Sequence, residues 1–199
     1  MAENSAPDIV IEAGQVPQLD VTEPRHIRSY IDGHPNHLML DIPGKLRMRI
    51  TDGNRLTYSS YPGVAEEELR LFLLGSGMGA ILMQRGYIVV HGNAVALEGN
   101  TGALMCIGDS GAGKSTTAVA MMQRGLAILA DDVCPLDDDA MAIPGMPRAK
   151  LWEDTAKRLG IDTAKLDRLR AGDAKFNLPL EAAHCDVPQR IRAFFWLVP

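Results

Sequence analysis

The apolar positions in the first third of the chain follow the two-residue period of half-buried strands. Between Ile27 and Ser60 they form short runs, and Leu46-Arg47-Met48-Arg49-Ile50 alternates apolar with basic residues. Asp52-Gly53-Asn54 is typical of a hairpin turn. The pattern predicts a small antiparallel β unit that follows a loose N-terminal arm over residues 1–22.

A helical pattern comes next. Three glutamates, Glu66-Glu67-Glu68, suit the positive end of a helix, and apolar residues continue the pattern to about Gln84, before Arg85-Gly86. Glycines at 75, 77 and 79 are expected to weaken this helix locally and to allow close packing. We place a domain boundary before the helix, with the arm and β unit over 1–64 and an α/β domain over 65–199.

Three apolar runs of strand length then lead to a glycine-rich loop. The runs are Tyr87–His91, Ala94–Leu97 and Ala103–Ile107, and their continuous apolar character predicts strands covered on both faces. The last run feeds the sequence Gly108-Asp109-Ser110-Gly111-Ala112-Gly113-Lys114-Ser115-Thr116, which matches the P-loop pattern G-x-x-x-x-G-K-[S/T] between a strand and a helix.

That loop predicts a nucleotide phosphate site. Its glycines let backbone N–H groups turn toward phosphate oxygens, and the following helix adds its positive end. Lys114 is expected to reach the β- and γ-phosphates, and the Ser115 hydroxyl to bind Mg²⁺. We therefore predict that residues 108–116 bind ATP.

Two aspartates follow the next apolar run. A helix over Lys114–Arg124 is predicted to end at Gly125, and a strand over Leu126–Ala130 to end at Asp131-Asp132. We expect this strand to lie parallel and next to the P-loop strand, so that both carboxylates reach the ligand edge of the sheet. One carboxylate can hold a metal and the other can accept a proton. His91, at the end of an earlier strand, is a candidate to orient a carboxylate or a hydrogen-bonded core histidine.

Composition excludes several function classes. The net charge of −5, the pI near 5.5 and the aromatic content of 5% argue against nucleic acid as a partner. The three cysteines form no C-x-x-C pair, which argues against a zinc site or a disulfide framework. The chain has no signal-like start and no run long enough for a membrane span, so we expect a cytoplasmic protein.

The C-terminal third carries weaker signals. Arg148 and Lys150 are candidates to meet nucleotide phosphates or an acidic peptide, and Lys175 is another candidate phosphate contact. Trp152 is expected in the core, and residues 153–170 are expected to be helical. The apolar run Ala193–Pro199 predicts a buried strand that either pairs at an interface or belongs to a longer natural chain.

The chain resembles the catalytic core of HPr kinase/phosphorylase. The resemblance rests on His91-Gly92, the loop Gly108–Ser115, Arg124-Gly125 and Ala130-Asp131-Asp132. It implies the P-loop kinase fold that is also seen in ATP-type phosphoenolpyruvate carboxykinases. It further implies that Lys114 acts on the phosphates and that Ser115 and Asp132 bind Mg²⁺. Asp131, assisted by His91, would be the base on an acceptor serine. The two aspartates could exchange these roles.

Downstream of Asp132 the glycine-containing signature of true HPr kinases is missing. The run Ile143–Trp152 is instead similar to that of kinases that modify peptides, including those of lasso peptide clusters that act on a C-terminal serine. We therefore expect an ATP- and Mg²⁺-dependent serine kinase for a peptide or small protein. The alternatives are HPr kinase proper, a small-metabolite kinase and an ATP-binding sensor. The family forms hexamers, so the resemblance also implies a homo-oligomer.

Overall fold

The computed structural model describes residues 7–18, 30–170 and 172–198, which form a mixed α/β protein. The chain divides into two units, one over residues 1–86 and the other over residues 87–199. Three sheets are present among the described residues: one with five strands, one with seven and one with two. No helix of the described part of the chain is long and apolar enough to cross a membrane.

The first unit contains the predicted antiparallel β unit. Four strands pair antiparallel in chain order, and the first strand adds parallel to the fifth at the edge. On β4, Leu46, Met48 and Ile50 are fully buried while the arginines between them are partly exposed, as the alternation predicts. The strands are β1 (Val10–Ala13), β2 (Tyr30–His34), β3 (His37–Ile42), β4 (Leu46–Thr51) and β5 (Arg55–Ser60).

The predicted helix is present, but a π-helical segment interrupts it. It consists of α1 (Glu66–Phe72), the π-helical turn Leu73–Gly77 and α2 (Met78–Gln84). A Cβ at Gly77 would collide with the Leu56 side chain, so the glycine permits the close packing that was expected. Leu73 and Ile81 pack into the core of this unit. The division between the units therefore falls after Gly86, whereas the sequence suggested a boundary after residue 64.

The seven-stranded sheet of the second unit has the order β6-β10-β11-β14-β8-β7-β9. The glycine-rich loop joins β8 to α3, and α3 leads to β9, as predicted. The elements are β6 (Ile88–Val90), β7 (Gly92–Ala96), β8 (Ala103–Gly108), α3 (Lys114–Met122), β9 (Ala127–Asp131), β10 (Cys134–Leu136), β11 (Met141–Ala142), β12 (Arg148–Trp152), α4 (Glu153–Arg158), β13 (Lys175–Pro179) and β14 (Gln189–Leu197).

One prediction about this sheet was wrong, because β9 does not lie next to β8. Strand β7 separates them and pairs antiparallel with both, so β8 and β9 still run in the same direction. Strands β7 and β8 form a hairpin, and after the crossover through α3 the chain returns as β9 on the other edge of β7. The carboxyl ends of β8 and β9 consequently still reach the same edge of the sheet.

The region after Trp152 also differs from expectation. The helix α4 covers only Glu153–Arg158, and Gly160 follows it with a φ of 68°, a left-handed conformation that favours glycine. A short 3₁₀ turn at Thr163–Lys165 replaces the rest of the predicted helix. Strands β12 and β13 pair antiparallel as a separate two-stranded sheet, whose apolar face packs toward α3 and α4 through Ala149 and Leu151.

The predicted C-terminal strand exists, but its side chains are not buried. Strand β14 pairs parallel with β8. Phe194, Phe195 and Trp196 are 53%, 46% and 73% exposed, so apolar side chains of this run are exposed on both faces of β14. On the other side of β14, β11 is two residues long and pairs only with Gln189 and Arg190, so the backbone edge of β14 beyond Arg190 is not paired with β11.

Candidate functional site

The loop between β8 and α3 has a backbone that only glycine tolerates at several positions. Gly111 and Gly113 have φ values of 89° and 94°. Gly108 has a φ of 147°, and a Cβ there would lie 2.5 Å from the Leu197 carbonyl oxygen of β14. The loop therefore closes tightly at the carboxyl end of β8 and delivers the chain into the first turn of α3 at Lys114.

Lys114 is 8% exposed and bends back over this loop. Its Nζ donates hydrogen bonds to the carbonyl oxygens of Gly108, at 2.7 Å, and of Asp109, at 2.9 Å. No carboxylate of the described residues forms an ion pair with it. The loop thus holds an ammonium group at the helix N-terminus, an arrangement suited to an anion.

Asp131, the last residue of β9, is held through both carboxylate oxygens. Its Oδ1 accepts a hydrogen bond from Ser115 Oγ at 3.1 Å, and its Oδ2 accepts one from the Lys150 backbone N–H at 2.7 Å. Burial raises the pKa of Asp131, and these two hydrogen bonds oppose that rise. The Asp131 carboxylate is therefore fixed beside the hydroxyl that begins α3.

Asp132 follows in a left-handed conformation, with a φ of 75°. Its carboxylate forms an ion pair with Lys150 Nζ. His91 Nδ1 lies 3.1 Å from the Asp132 carbonyl oxygen and 3.5 Å from Oδ1. Burial alone would raise the pKa of Asp132, but Lys150, His91 and Lys175 outweigh it, and the net shift is downward. Asp132 is thus an ionised carboxylate beside a histidine.

Two further lysines come from the sheet formed by β12 and β13. Lys150 is 8% exposed, while Lys175 Nζ lies 5.3 Å from the centre of the Trp152 ring, a cation–π contact. Burial lowers the pKa of Lys175, and the charges of Lys150 and Lys114 lower it further. Trp152 is 50% exposed and lines the site, so its predicted place in the core was wrong.

These groups enclose a cavity of about 110 Å³. Most of the residues predicted for the site line it. Lys150 and Lys175, which the sequence suggested as weaker candidates, also line it, and so does Thr155, which the sequence did not indicate. Gly108, Asp109 and Ala112 shape the loop without lining the cavity. The lining residues are His91, Gly92, Ser110, Gly111, Gly113, Lys114, Ser115, Thr116, Asp131, Asp132, Lys150, Leu151, Trp152, Thr155 and Lys175.

The oxygen atoms in this cavity suit Mg²⁺. The Ser115 hydroxyl and the carboxylates of Asp131 and Asp132 are the hard ligands that this ion prefers. Among the described residues, no group of three or more histidines, cysteines, aspartates or glutamates could hold a metal alone.

The second unit is therefore an α/β unit that carries a cavity with three lysines and two aspartates. Comparisons of the chain with models of protein families and with curated proteins find no match. The chemistry of the cavity therefore carries the functional inference.

Proposed function

We propose that the protein is an ATP- and Mg²⁺-dependent phosphotransferase that phosphorylates a serine hydroxyl of a peptide or small protein. One observation carries the proposal: a glycine loop, a lysine and a serine at a helix N-terminus share a cavity with two carboxylates in different environments. The loop, the lysine and the serine are the groups that bind a polyphosphate, and one of the two carboxylates can activate a hydroxyl.

The cations of the cavity support binding of the triphosphate. The loop amides and the N-terminus of α3 would receive the β- and γ-phosphates, and Lys114 would exchange its two carbonyl contacts for phosphate oxygens. Lys175 lines the same cavity, and the charge of Lys114 lowers its pKa. It would take a further oxygen of the γ-phosphate. Mg²⁺, when bound, would neutralise charge on these phosphates.

The geometry favours a particular division of roles between the aspartates. Ser115 touches Asp131 and not Asp132, which favours Ser115 and Asp131 as the residues that hold Mg²⁺. Asp132 is ionised beside His91, which favours it as the base. This is the exchanged assignment, with Asp132 in place of Asp131 as the base and Asp131 in place of Asp132 at the metal.

In the proposed reaction the serine oxygen attacks the γ-phosphorus as its proton passes to Asp132. The bond from the γ-phosphorus to the β,γ-bridging oxygen breaks, and ADP leaves with that oxygen. His91 orients the Asp132 carboxylate, and Lys150 keeps it ionised. A fold of the HPr kinase and phosphoenolpyruvate carboxykinase type, a cytoplasmic location and self-association belong to the same proposal.

Mass spectrometry of serine peptides incubated with ATP and Mg²⁺ tests the proposal. We expect the mass of one phosphate to be added by the wild-type chain and to be lost in Lys114→Met. Lys157→Met is a matched control, because Lys157 is 67% exposed and paired with Glu153 away from the cavity. It should leave transfer unchanged.

Other results would point to the alternatives. Transfer to small alcohols and to no peptide would indicate a metabolite kinase, and transfer to HPr would indicate an HPr kinase. Tight ATP binding without turnover on any acceptor would indicate a sensor.

A further inference from the structure

The polar face of the β12/β13 sheet extends beyond the cavity. Three cross-strand pairs lie along it: Trp152 opposite Lys175, Lys150 opposite Asn177 and Arg148 opposite Pro179. Side chains two residues apart on a strand share a face, so Arg148, Lys150 and Trp152 point to the same side. The other side is apolar, with Ala149 and Leu151 buried.

The order of these pairs gives the face a direction. The pair of Trp152 and Lys175 lines the same cavity as the glycine loop, whereas Arg148 does not. The middle pair lies at the reaction centre, because Lys150 forms the ion pair with Asp132. Arg148 is the other end, two residues or about 7 Å beyond Lys150 along the strand.

A second cleft opens at that end. It has a volume of about 260 Å³ and is lined by Arg148, Lys165, Asp167, Asn177 and neighbouring apolar residues. Arg148 Nη1 donates to Asn177 Oδ1 at 3.4 Å. Burial lowers the pKa of Arg148, while the charges of Asp132 and Asp131 oppose that change.

The guanidinium in this cleft forms no ion pair with any of the described residues. Among the described residues, no ion pair within 4.0 Å involves Arg148 or Lys165. Asp167 contributes one negative charge to the cleft against the two positive charges. Among the described residues, the side-chain hydrogen bond of this half-buried guanidinium goes to a neutral amide, so it retains donors that fit a carboxylate.

We propose that the Arg148 cleft binds a carboxylate of the acceptor peptide, so that the enzyme selects serines with an acidic residue within about two positions. The inference rests on the proposed function. The triphosphate occupies the Lys175 end, the serine hydroxyl reaches Asp132, and the peptide continues over Arg148. Arg148 is a specificity residue in this arrangement and takes no part in the bond changes.

A panel of matched serine peptides tests the inference, with Asp or Asn at each position from two before to two after the serine. With wild-type protein we expect one Asp position to raise kcat/KM about tenfold over its Asn counterpart. In Arg148→Met that preference should disappear through a higher KM for the acidic peptide, while the KM for ATP and the rate with the Asn peptide stay constant. Arg148→Lys should keep part of the preference.

Arg190→Met is the matched control, since Arg190 is an exposed arginine on β14. It should preserve the wild-type preference. Equal loss of activity toward Asp and Asn peptides in Arg148→Met, or a higher KM for ATP, would overturn the inference while the kinase activity stands. Transfer that is indifferent to acidic residues in the wild type would also overturn it. No transfer to any peptide would overturn the proposed function itself, and the inference with it.

Discussion

Each unit of the protein contains a cluster of partly buried charges beside an aromatic ring, and the two clusters differ in balance. In the first unit, Asp41 pairs with Arg47 at 3.3 Å, and Tyr61 bonds to both, lying beneath the Arg47 guanidinium at 5.0 Å. In the second unit, three lysines and two aspartates surround a cavity beside Trp152.

The first cluster is balanced in charge. Its one cation, one anion and one hydroxyl contact one another, although Arg47 Nε, 3.3 Å from Asp41 Oδ2, has no hydrogen-bond partner among the described residues. The second cluster has more cations than anions, and Lys114 and Lys175 have no carboxylate partner within 4.0 Å in the described part of the chain. In a balanced cluster the loss of one partner leaves a buried charge uncompensated and destabilises the fold, whereas an excess of cations around a cavity indicates an anionic ligand.

The largest expected effect is on the base. Asp132→Asn should lower kcat for peptide phosphorylation about 10³-fold, because the serine proton loses its acceptor. The affinity for ATP should change by less than about twofold, because Asp132 does not hold the phosphates. Steady-state kinetics check both values. A larger loss in kcat for Asp131→Asn with little loss for Asp132→Asn would restore the other assignment of the two aspartates.

Lys175→Met should have the next largest effect, a fall of about 10²-fold in kcat, because the charge developing on the transferred phosphoryl group loses one ammonium. Lys175→Arg should retain part of the activity. Binding can be followed by fluorescence in a Trp196→Phe background, which leaves Trp152 as the only tryptophan. ATP should alter that signal with Lys175 present, and an identical response in Lys175→Met would remove Lys175 from the phosphate site.

Lys150→Met should shift the pH dependence. Lys150 is the main group that holds the pKa of Asp132 below its ordinary value against the effect of burial. Without it the pKa rises, so the base becomes protonated at a higher pH and the acid limb of kcat/KM moves upward in pH. The pH–rate profiles of the two proteins measure the shift. An unchanged acid limb would show that the base is a different group.

A substitution in the balanced cluster of the first unit should lower stability and leave catalysis unchanged. Asp41→Asn should lower the free energy of unfolding by about 1–2 kcal/mol, because Arg47 and Tyr61 keep a neutral partner in place of a carboxylate. Chemical denaturation measures that loss, and peptide phosphorylation at a temperature where the variant is folded should be unaffected. A loss of transfer without a loss of stability would contradict the distinction between the clusters.

The sequence could predict the parts of the site that are contiguous in the chain. The glycine loop, Lys114, Ser115 and the aspartates lie within one strand–helix–strand segment, so local patterns sufficed. The sequence could not predict that β7 lies between β8 and β9. The local pattern shows that the chain returns to the sheet after α3, but not which strand β9 pairs with.

Other features depend on contacts between distant segments. Lys150 and Trp152 reach the cavity only because β12 pairs with β13, more than twenty residues later, and a strand pattern alone does not reveal which face meets a ligand. The exposure of Trp196 likewise cannot be predicted from the apolar run in which it lies, because it depends on which elements cover the faces of β14.

Titration calorimetry of ATP, with and without Mg²⁺, tests most directly whether the cavity with the three lysines binds a triphosphate. Wild-type protein should bind one ATP with an affinity that Mg²⁺ increases. Lys114→Met should weaken that binding about tenfold or more, while Lys157→Met should bind as the wild type does. Failure of the wild-type protein to bind ATP, or equal binding by Lys114→Met, would contradict the account.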